Sequence, residues 1–422
     1  MSHDVLMNKR RGYATLAALT AVVALICGAI YLGVGAAAGT PPRTPTAAPA
    51  VWVGTWSAAP AKASPAKTAA TAESGAGGHH AGSSVRNVVH TSIGGTAARI
   101  TLTNLLGSRP LTIDQVSIAL RSGHGPAALP GTLRRVTFHG AGGVTVAVGG
   151  QRVSDPVALE IPYDSDVLVT VHSAAPGGLV TVHPQARQTS YVADGDRTQD
   201  PGPDAYTRRT GAWHHLTAVD VLTRDARGAV VAIGDSITDG VTSTSDANRR
   251  WPDVLADRLR GRYGVLNQGI SGNRLLTDGR GPSTLARFER DVLAQSGVRT
   301  VIVAIGINDL LREPGTGADR ITAGFTELTR RAHARGLRVI GTTLLPCDGH
   351  HRCTPALDAV RGKVNAAVRT GGIFDAVVDF DRALRDPYAP ARLRPMYDSG
   401  DHLHPSDAGY ARMGRTVDPA RL

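Results

Sequence analysis

Apolar positions along this chain follow three different rhythms. From Gly12 to Gly39 they run on without a charge, dominated by Ala, Val, Leu and Ile. From Trp52 to about Arg227 they alternate with polar positions in short runs: Val85–Ser92, Ala98–Asn104, Thr112–Leu120, Arg134–His139, Val144–Val148, Val157–Ile161, Asp166–His172, Val180–His183 and Ala218–Leu222. Turn residues separate these runs and no helical period of useful length appears, which predicts an antiparallel β-sandwich. Beyond Arg227, solid apolar runs (Ala229–Ile233, Tyr263–Leu266, Thr300–Ile305, Arg338–Thr343, Ala376–Phe380) alternate with helical stripes at Asp246–Arg262, Leu285–Leu293, Ile321–Arg335 and Ala356–Ala367. In the first stripe Trp251, Val254, Leu255 and Leu259 share a face and Pro252 fits the first turn. Strands alternating with helices predict a parallel sheet covered on both faces.

The chain therefore divides into 1–39, a signal peptide or membrane anchor; 40–50, a Pro/Thr/Ala-rich linker; 51–227, the β-sandwich; and 228–422, a three-layer α/β/α domain. Lys9-Arg10-Arg11 before the apolar span keeps that end cytoplasmic and sends the rest outward. The span is longer than a signal core of ~7–15 residues, which favours a retained anchor, whereas Ala36–Ala38 suits cleavage. Within the sandwich, Ala61–Ser84 is a low-complexity loop whose His79 and His80 read as solvated.

Composition changes this picture little. The net charge of +11 comes almost wholly from arginine, since lysine occurs only at Lys9, Lys62, Lys67 and Lys363. No tight basic cluster interleaved with aromatics is present, which excludes nucleic acid as a partner. Arg249, Arg250 and Arg274 fall near strand ends, where they meet either solvent or an anionic substrate. Besides Cys27 the only cysteines are Cys347 and Cys353, an exported pair that reads as a disulfide. A zinc site from both cysteines with His350 and His351 is disfavoured by the spacing and the adjacent histidines, so no metal is expected.

Chemistry concentrates at strand ends. Gly234-Asp235-Ser236 follows Ala229–Ile233, placing Ser236 where an open α/β sheet exposes its crevice. Asn267–Asn273 and Gly306-Ile307-Asn308-Asp309 follow the next two strands, and Asp401-His402-Leu403-His404-Pro405 precedes the final helix. A serine becomes a nucleophile when a base takes its proton and a carboxylate orients that base, roles that His404 and Asp401 fill from one loop. The oxyanion of acyl transfer needs preorganised donors, available from the Ser236 N–H, a glycine N–H (Gly269 or Gly272) and the Asn308 amide. Singly, each peptide also reads blandly, as a turn, an Asx turn or a helix cap. Their joint order does not. An α/β-hydrolase elbow is excluded, because no glycine stands two residues after Ser236.

These four blocks resemble those of the SGNH hydrolases (the GDSL esterase superfamily), from about Ala229 to the C-terminus. The resemblance implies Ser236 as nucleophile, Gly272 rather than Gly269 with Asn308 and the Ser236 N–H as oxyanion donors, His404 as base and Asp401 as its partner. Trp-Val-Gly-Thr-Trp at Trp52–Trp56, together with Val85–Ser92 and Leu102–Gly107, is similar to the N-terminal domain of secreted bacterial SGNH proteins related to xylan-associated esterases. Trp52, Trp56 and Trp213 either stack on sugars or fill the sandwich core. The expectation is an exported serine esterase without cofactor, acting on short-acyl or O-acetyl carbohydrate esters. Lipid acyl hydrolase or arylesterase is the alternative, and a non-catalytic surface-binding protein is opposed by the intact blocks. Its partners are then an ester substrate, from acylated polysaccharide or lipid, and the membrane if the N-terminal segment is retained.

Overall fold

A computed structural model describes residues 3–36, 49–61, 82–174 and 180–422. Most of the expected linker and of the low-complexity loop, with His79 and His80, lies outside the described residues. The chain forms two compact units, Met1–Pro49 and Ala50–Leu422. The first contains the helix His3–Ala36. Its stretch Gly12–Tyr31 is apolar and entirely unburied, and at 1.5 Å per residue such a stretch reaches about 30 Å, the thickness of a bilayer core.

In the larger unit, five parallel strands stand side by side in the order Gly264–Gly269, Ala229–Gly234, Val298–Ala304, Arg338–Thr342 and Ala376–Val378. They read as solid apolar runs because both faces are covered. Val231, Ile233, Val301 and Val303 pack with Ile321, Phe325 and Val364 of the helices Ala318–His333 and Pro355–Thr370. The alternate residues Val230, Ala232 and Ile302 pack with Trp251, Leu255, Tyr410 and Met413 of Trp251–Leu259 and Asp407–Thr416. From Ala229–Gly234 the chain goes first to one side and then to the other, so the order in which it adds strands reverses there, opening a crevice at that strand's carboxyl end.

Beside two two-stranded pairs, Val182–His183 with Trp213–His214 and Leu111–Ile113 with Val144–Val146, two large antiparallel sheets occupy residues 51–223. One holds Val51–Ser57, Leu216–Thr223, Gly95–Thr103, Gln151–Val153 and Val157–Ile161. The other runs Arg208–Thr210, Ser190–Asp194, Ser83–Thr91, Ser165–Ser173, Gln115–Leu120 and Arg134–Arg135. Ile100 and Val219 of one meet Val89, Val116 and Val169 of the other in a common core. Trp56 and Trp213 are buried there edge to face, 4.9 Å apart, and are closed to sugars. The strand Val51–Ser57 lies against Gly264–Gly269, the edge of the parallel sheet: Gln268 Nε2 donates to Ser57 Oγ at 2.7 Å and the Val265 N–H to Ser92 Oγ at 2.9 Å.

Several expected elements are altered. The stripe Asp246–Arg262 shrinks to Trp251–Leu259, because Asp246 and Asn248 adopt positive φ and the helix starts at Arg250. Arg250 is buried rather than solvated: its guanidinium and backbone N–H both bind the Asp253 carboxylate. Leu285–Leu293 divides into an α-turn, Thr284–Phe288, and a π-turn, Glu289–Leu293, and Thr112–Leu120 breaks at Asp114.

Candidate active site

Three strand ends and one loop converge on a crevice of about 600 Å³ whose walls include Ser236, Gly272, Asn308 and His404. Ser236 opens a one-turn helix, Ser236–Asp239, whose N-cap Asp235 accepts from the Ile237 N–H at 3.0 Å. Asp235 is buried, and burial drives its pKa up to about 7 against the pull of the Ile237 N–H and His404. Ser236 Oγ lies 2.8 Å from His404 Nε2, and His404 Nδ1 lies 2.5 Å from Asp401 Oδ2. The other Asp401 oxygen accepts the backbone N–H groups of Leu403 and His404. Burial opposes ionisation of Asp401, but the His404 ring and these N–H groups outweigh it and hold the carboxyl far below the usual range.

The two halves of this relay are stapled together. Thr242 Oγ1 donates to the Pro405 carbonyl at 2.8 Å, the Thr244 N–H and hydroxyl bind the Asp407 carboxylate, and Tyr410 Oη donates to the Val241 carbonyl. Asp398 shapes the histidine loop, accepting from the Gly400 and His402 N–H groups.

Asn308 is 5% exposed, and its Nδ2 is buried with no hydrogen-bond partner among the described residues. Such an orphaned donor costs about 1–3 kcal/mol, and Asn308 lines the crevice, where an oxyanion would satisfy it. Asp309 is no mere turn residue: its carboxylate accepts the Leu275 and Leu276 N–H groups at 2.8 and 2.9 Å, tying the Asn308 turn to the Gly272 loop. Gly272, at φ 78°, lines the crevice. Gly269 has a packing role instead, since a Cβ there would meet the Asp239 nitrogen at 2.2 Å.

Several residues of the site carry no local sequence signal. Arg287, fully buried, donates to the Gly234 and Gln268 carbonyls, to Asn273 Oδ1 and to Asp291, clamping two strand ends. Asp239 Oδ2 accepts from the Ser271 N–H and hydroxyl, next to Gly272, while Asp239 Oδ1 bonds His183 Nε2 at 2.9 Å. His183, from the sandwich, binds the Ala59 carbonyl through Nδ1 at 2.8 Å. Gln185 and Arg187 of the same segment line the crevice, so the sandwich forms one of its walls. Cys347 and Cys353 are bonded to each other, which removes both thiolates as metal ligands; the loop they close presents His350, His351 and Arg352 to the crevice. Arg249 reaches Asp407 and Arg274 reaches Glu313.

Residues 232–412 match the GDSL-like Lipase/Acylhydrolase family. No curated protein sequence matches the chain. Among solved structures, the chain is similar to a GDSL-like lipase from Bacteroides thetaiotaomicron (22% identity, 46% of this chain and 87% of that one, TM-score 0.36). It is also similar to a member of the lipolytic protein G-D-S-L family from Veillonella parvula (18%, 46% and 99%, TM-score 0.36). A third is a variant of an acetyl xylan esterase from Geobacillus stearothermophilus (22%, 45% and 93%, TM-score 0.36).

Proposed function

We propose, for a chain that belongs to the SGNH superfamily through its GDSL-like lipase/acylhydrolase segment 232–412, an exported serine esterase acting on short-acyl, chiefly O-acetyl, esters of carbohydrates. The observation that carries the mechanism is the unbroken relay from Ser236 Oγ through His404 to Asp401. His404 Nε2 takes the Ser236 proton as Oγ adds to the ester carbonyl, and Asp401 balances the imidazolium that results. Asn308 Nδ2, the Gly272 N–H and the Ser236 N–H receive the oxyanion. Collapse expels the alcohol with the proton from His404 and leaves an acyl-serine. Water, deprotonated by His404, adds to that acyl group, and the acid leaves as Ser236 recovers its proton.

The crevice walls support the substrate class. They carry Gln185, Thr242, Ser271 and several arginines and histidines, against the apolar Val241, Leu311 and Leu403. Hydroxyl-rich alcohols suit such walls, whereas a long acyl chain needs an apolar trough. Export is supported by the apolar helix with its Lys9–Arg11 flank and by the Cys347–Cys353 bond.

The test uses a fluorophosphonate, which should label Ser236 and no other residue. Ser236→Ala should lose kcat by several orders of magnitude with the fold intact. Labelling elsewhere, or an active alanine variant, would overturn the assignment.

A further inference from the structure

A second recess, of about 320 Å³, opens beside the crevice and is walled by Gly272, Arg274, Gly279, Arg280, Arg312 and Arg352. Four arginines and no acid line it. Arg274 is neutralised by Glu313. Among the described residues the other three have no carboxylate partner: Arg312 Nε has only Asn308 Oδ1 at 3.4 Å, Arg352 Nε only His351 Nε2 at 3.3 Å, and Arg280 has no hydrogen bond at all. Some arginines elsewhere on the surface find a carboxylate, as in Arg330 with Glu327, Arg335 with Glu289 and Arg392 with Asp348; what sets Arg280, Arg312 and Arg352 apart is that they share one recess. Crowding is felt: partial burial, then the charges of Arg352, Arg280 and Arg274, lower the Arg312 pKa. Like charges gathered without counter-charge raise the free energy of the empty recess, and a bound anion relieves that cost. Guanidinium forks also match the paired oxygens of carboxylate and phosphate.

We propose that this recess is an anion subsite, binding a carboxylate or phosphate carried by the alcohol part of the substrate, so that the preferred ester is that of an acidic sugar. This rests on the short-acyl reading above, because an acetyl group has no charge and the anion must then sit on the alcohol. Gly272 belongs to both walls, so the anchored group sits next to the oxyanion donors and fixes which hydroxyl's ester reaches Ser236.

The full chain is assayed on mono-O-acetyl glucose, mono-O-acetyl glucuronate and mono-O-acetyl glucose 6-phosphate, with p-nitrophenyl acetate reporting the acyl chemistry. At least one acidic ester should exceed the neutral sugar in kcat/KM by about tenfold, and whichever does identifies carboxylate or phosphate as the source. That advantage should shrink as salt shortens the Debye length towards about 3 Å, a readout that needs no variant. Arg280→Gln with Arg352→Gln should cut the acidic-to-neutral ratio by roughly fivefold or more. Equal turnover of acidic and neutral sugars, or a ratio blind to salt and to both substitutions, overturns the subsite and leaves the esterase standing. A lysophospholipid turned over faster than every sugar ester overturns the sugar as substrate. Failure of p-nitrophenyl acetate turnover together with an unlabelled Ser236 overturns the parent reading, and this one with it.

Discussion

His183→Ala removes an imidazole that spans the sandwich and the Gly272 loop. His183 and Asp239 side chains are 5% and 3% exposed, and their 2.9 Å contact is a buried ion pair whenever the ring is protonated. Burial disfavours that charge, but Asp239 and the Ala59 carbonyl outweigh it and raise the His183 pKa. Deleting the ring leaves the Asp239 carboxylate without its imidazole partner, a loss of about 3–5 kcal/mol for breaking a buried pair. A shift of roughly 5–10 °C in Tm should follow. Asp239 also holds Ser271, so kcat on p-nitrophenyl acetate should fall while KM changes less. The pH dependence has a definite sign. A histidine raised on folding contributes stability that is complete below its unfolded pKa of about 6.5 and is lost as pH rises through the folded value. Urea unfolding of wild type, His183→Ala and His183→Gln across that range reads this out: the gap between wild type and His183→Gln should narrow as pH rises. A gap below about 1 kcal/mol on the acid side, or one that widens with pH, would refute the reasoning.

Two further outcomes are expected. Asn308→Ala should lower kcat by roughly 10²–10³ with KM little changed, because the orphaned amide meets charge only in the transition state; steady-state kinetics showing a KM effect alone would assign Asn308 to ground-state binding. Cell fractionation with sequencing of the mature N-terminus should find the enzyme in the membrane fraction facing outward, with Gly12–Tyr31 retained; a soluble product starting near Gly39 would replace anchor with cleaved signal, and a cytoplasmic one would remove export.

The relay residues were legible because each sits in a short peptide tied to a strand end or loop: Ser236 after Ala229–Ile233, Asn308 after the next apolar strand but one, Asp401 and His404 within one loop. Periodicity marked the parallel strands for the same reason, since both faces are buried. What escaped depends on partners remote in sequence. His183 and Asp239 lie 56 residues apart, and no spacing rule joins a short sandwich strand to a helix end. Arg287 reads as a helix-surface charge until Gly234 and Gln268 present their carbonyls to it. Arg280 and Arg352 come from separate loops and Arg312 from the end of the helix Ile307–Arg312, so their crowding exists only in space. Ser190–Asp194 and Arg208–Thr210 are too short and polar to alternate visibly. Asp246–Arg250 had helical composition, but Asp246 spends its carboxylate on Thr189 and turns the chain instead.

The seam between Val51–Ser57 and Gly264–Gly269 bears on modularity. A parallel sheet ends in a row of unpaired edge groups that invites other chains, and here a sandwich strand from far upstream lies over it. Gly54 and Gly264 approach so closely that a Cβ on Gly264 would meet the Gly54 carbonyl oxygen at 2.0 Å. The catalytic half thus leans on its neighbour: severed at residue 228, it would bare that edge, leave Asp239 Oδ1 without the His183 imidazole and lose the crevice wall formed by Gln185 and Arg187. Sequence length tempts one to treat residues 228–422 as a cassette for transplanting between scaffolds, yet the joint makes the sandwich a keel rather than a passenger.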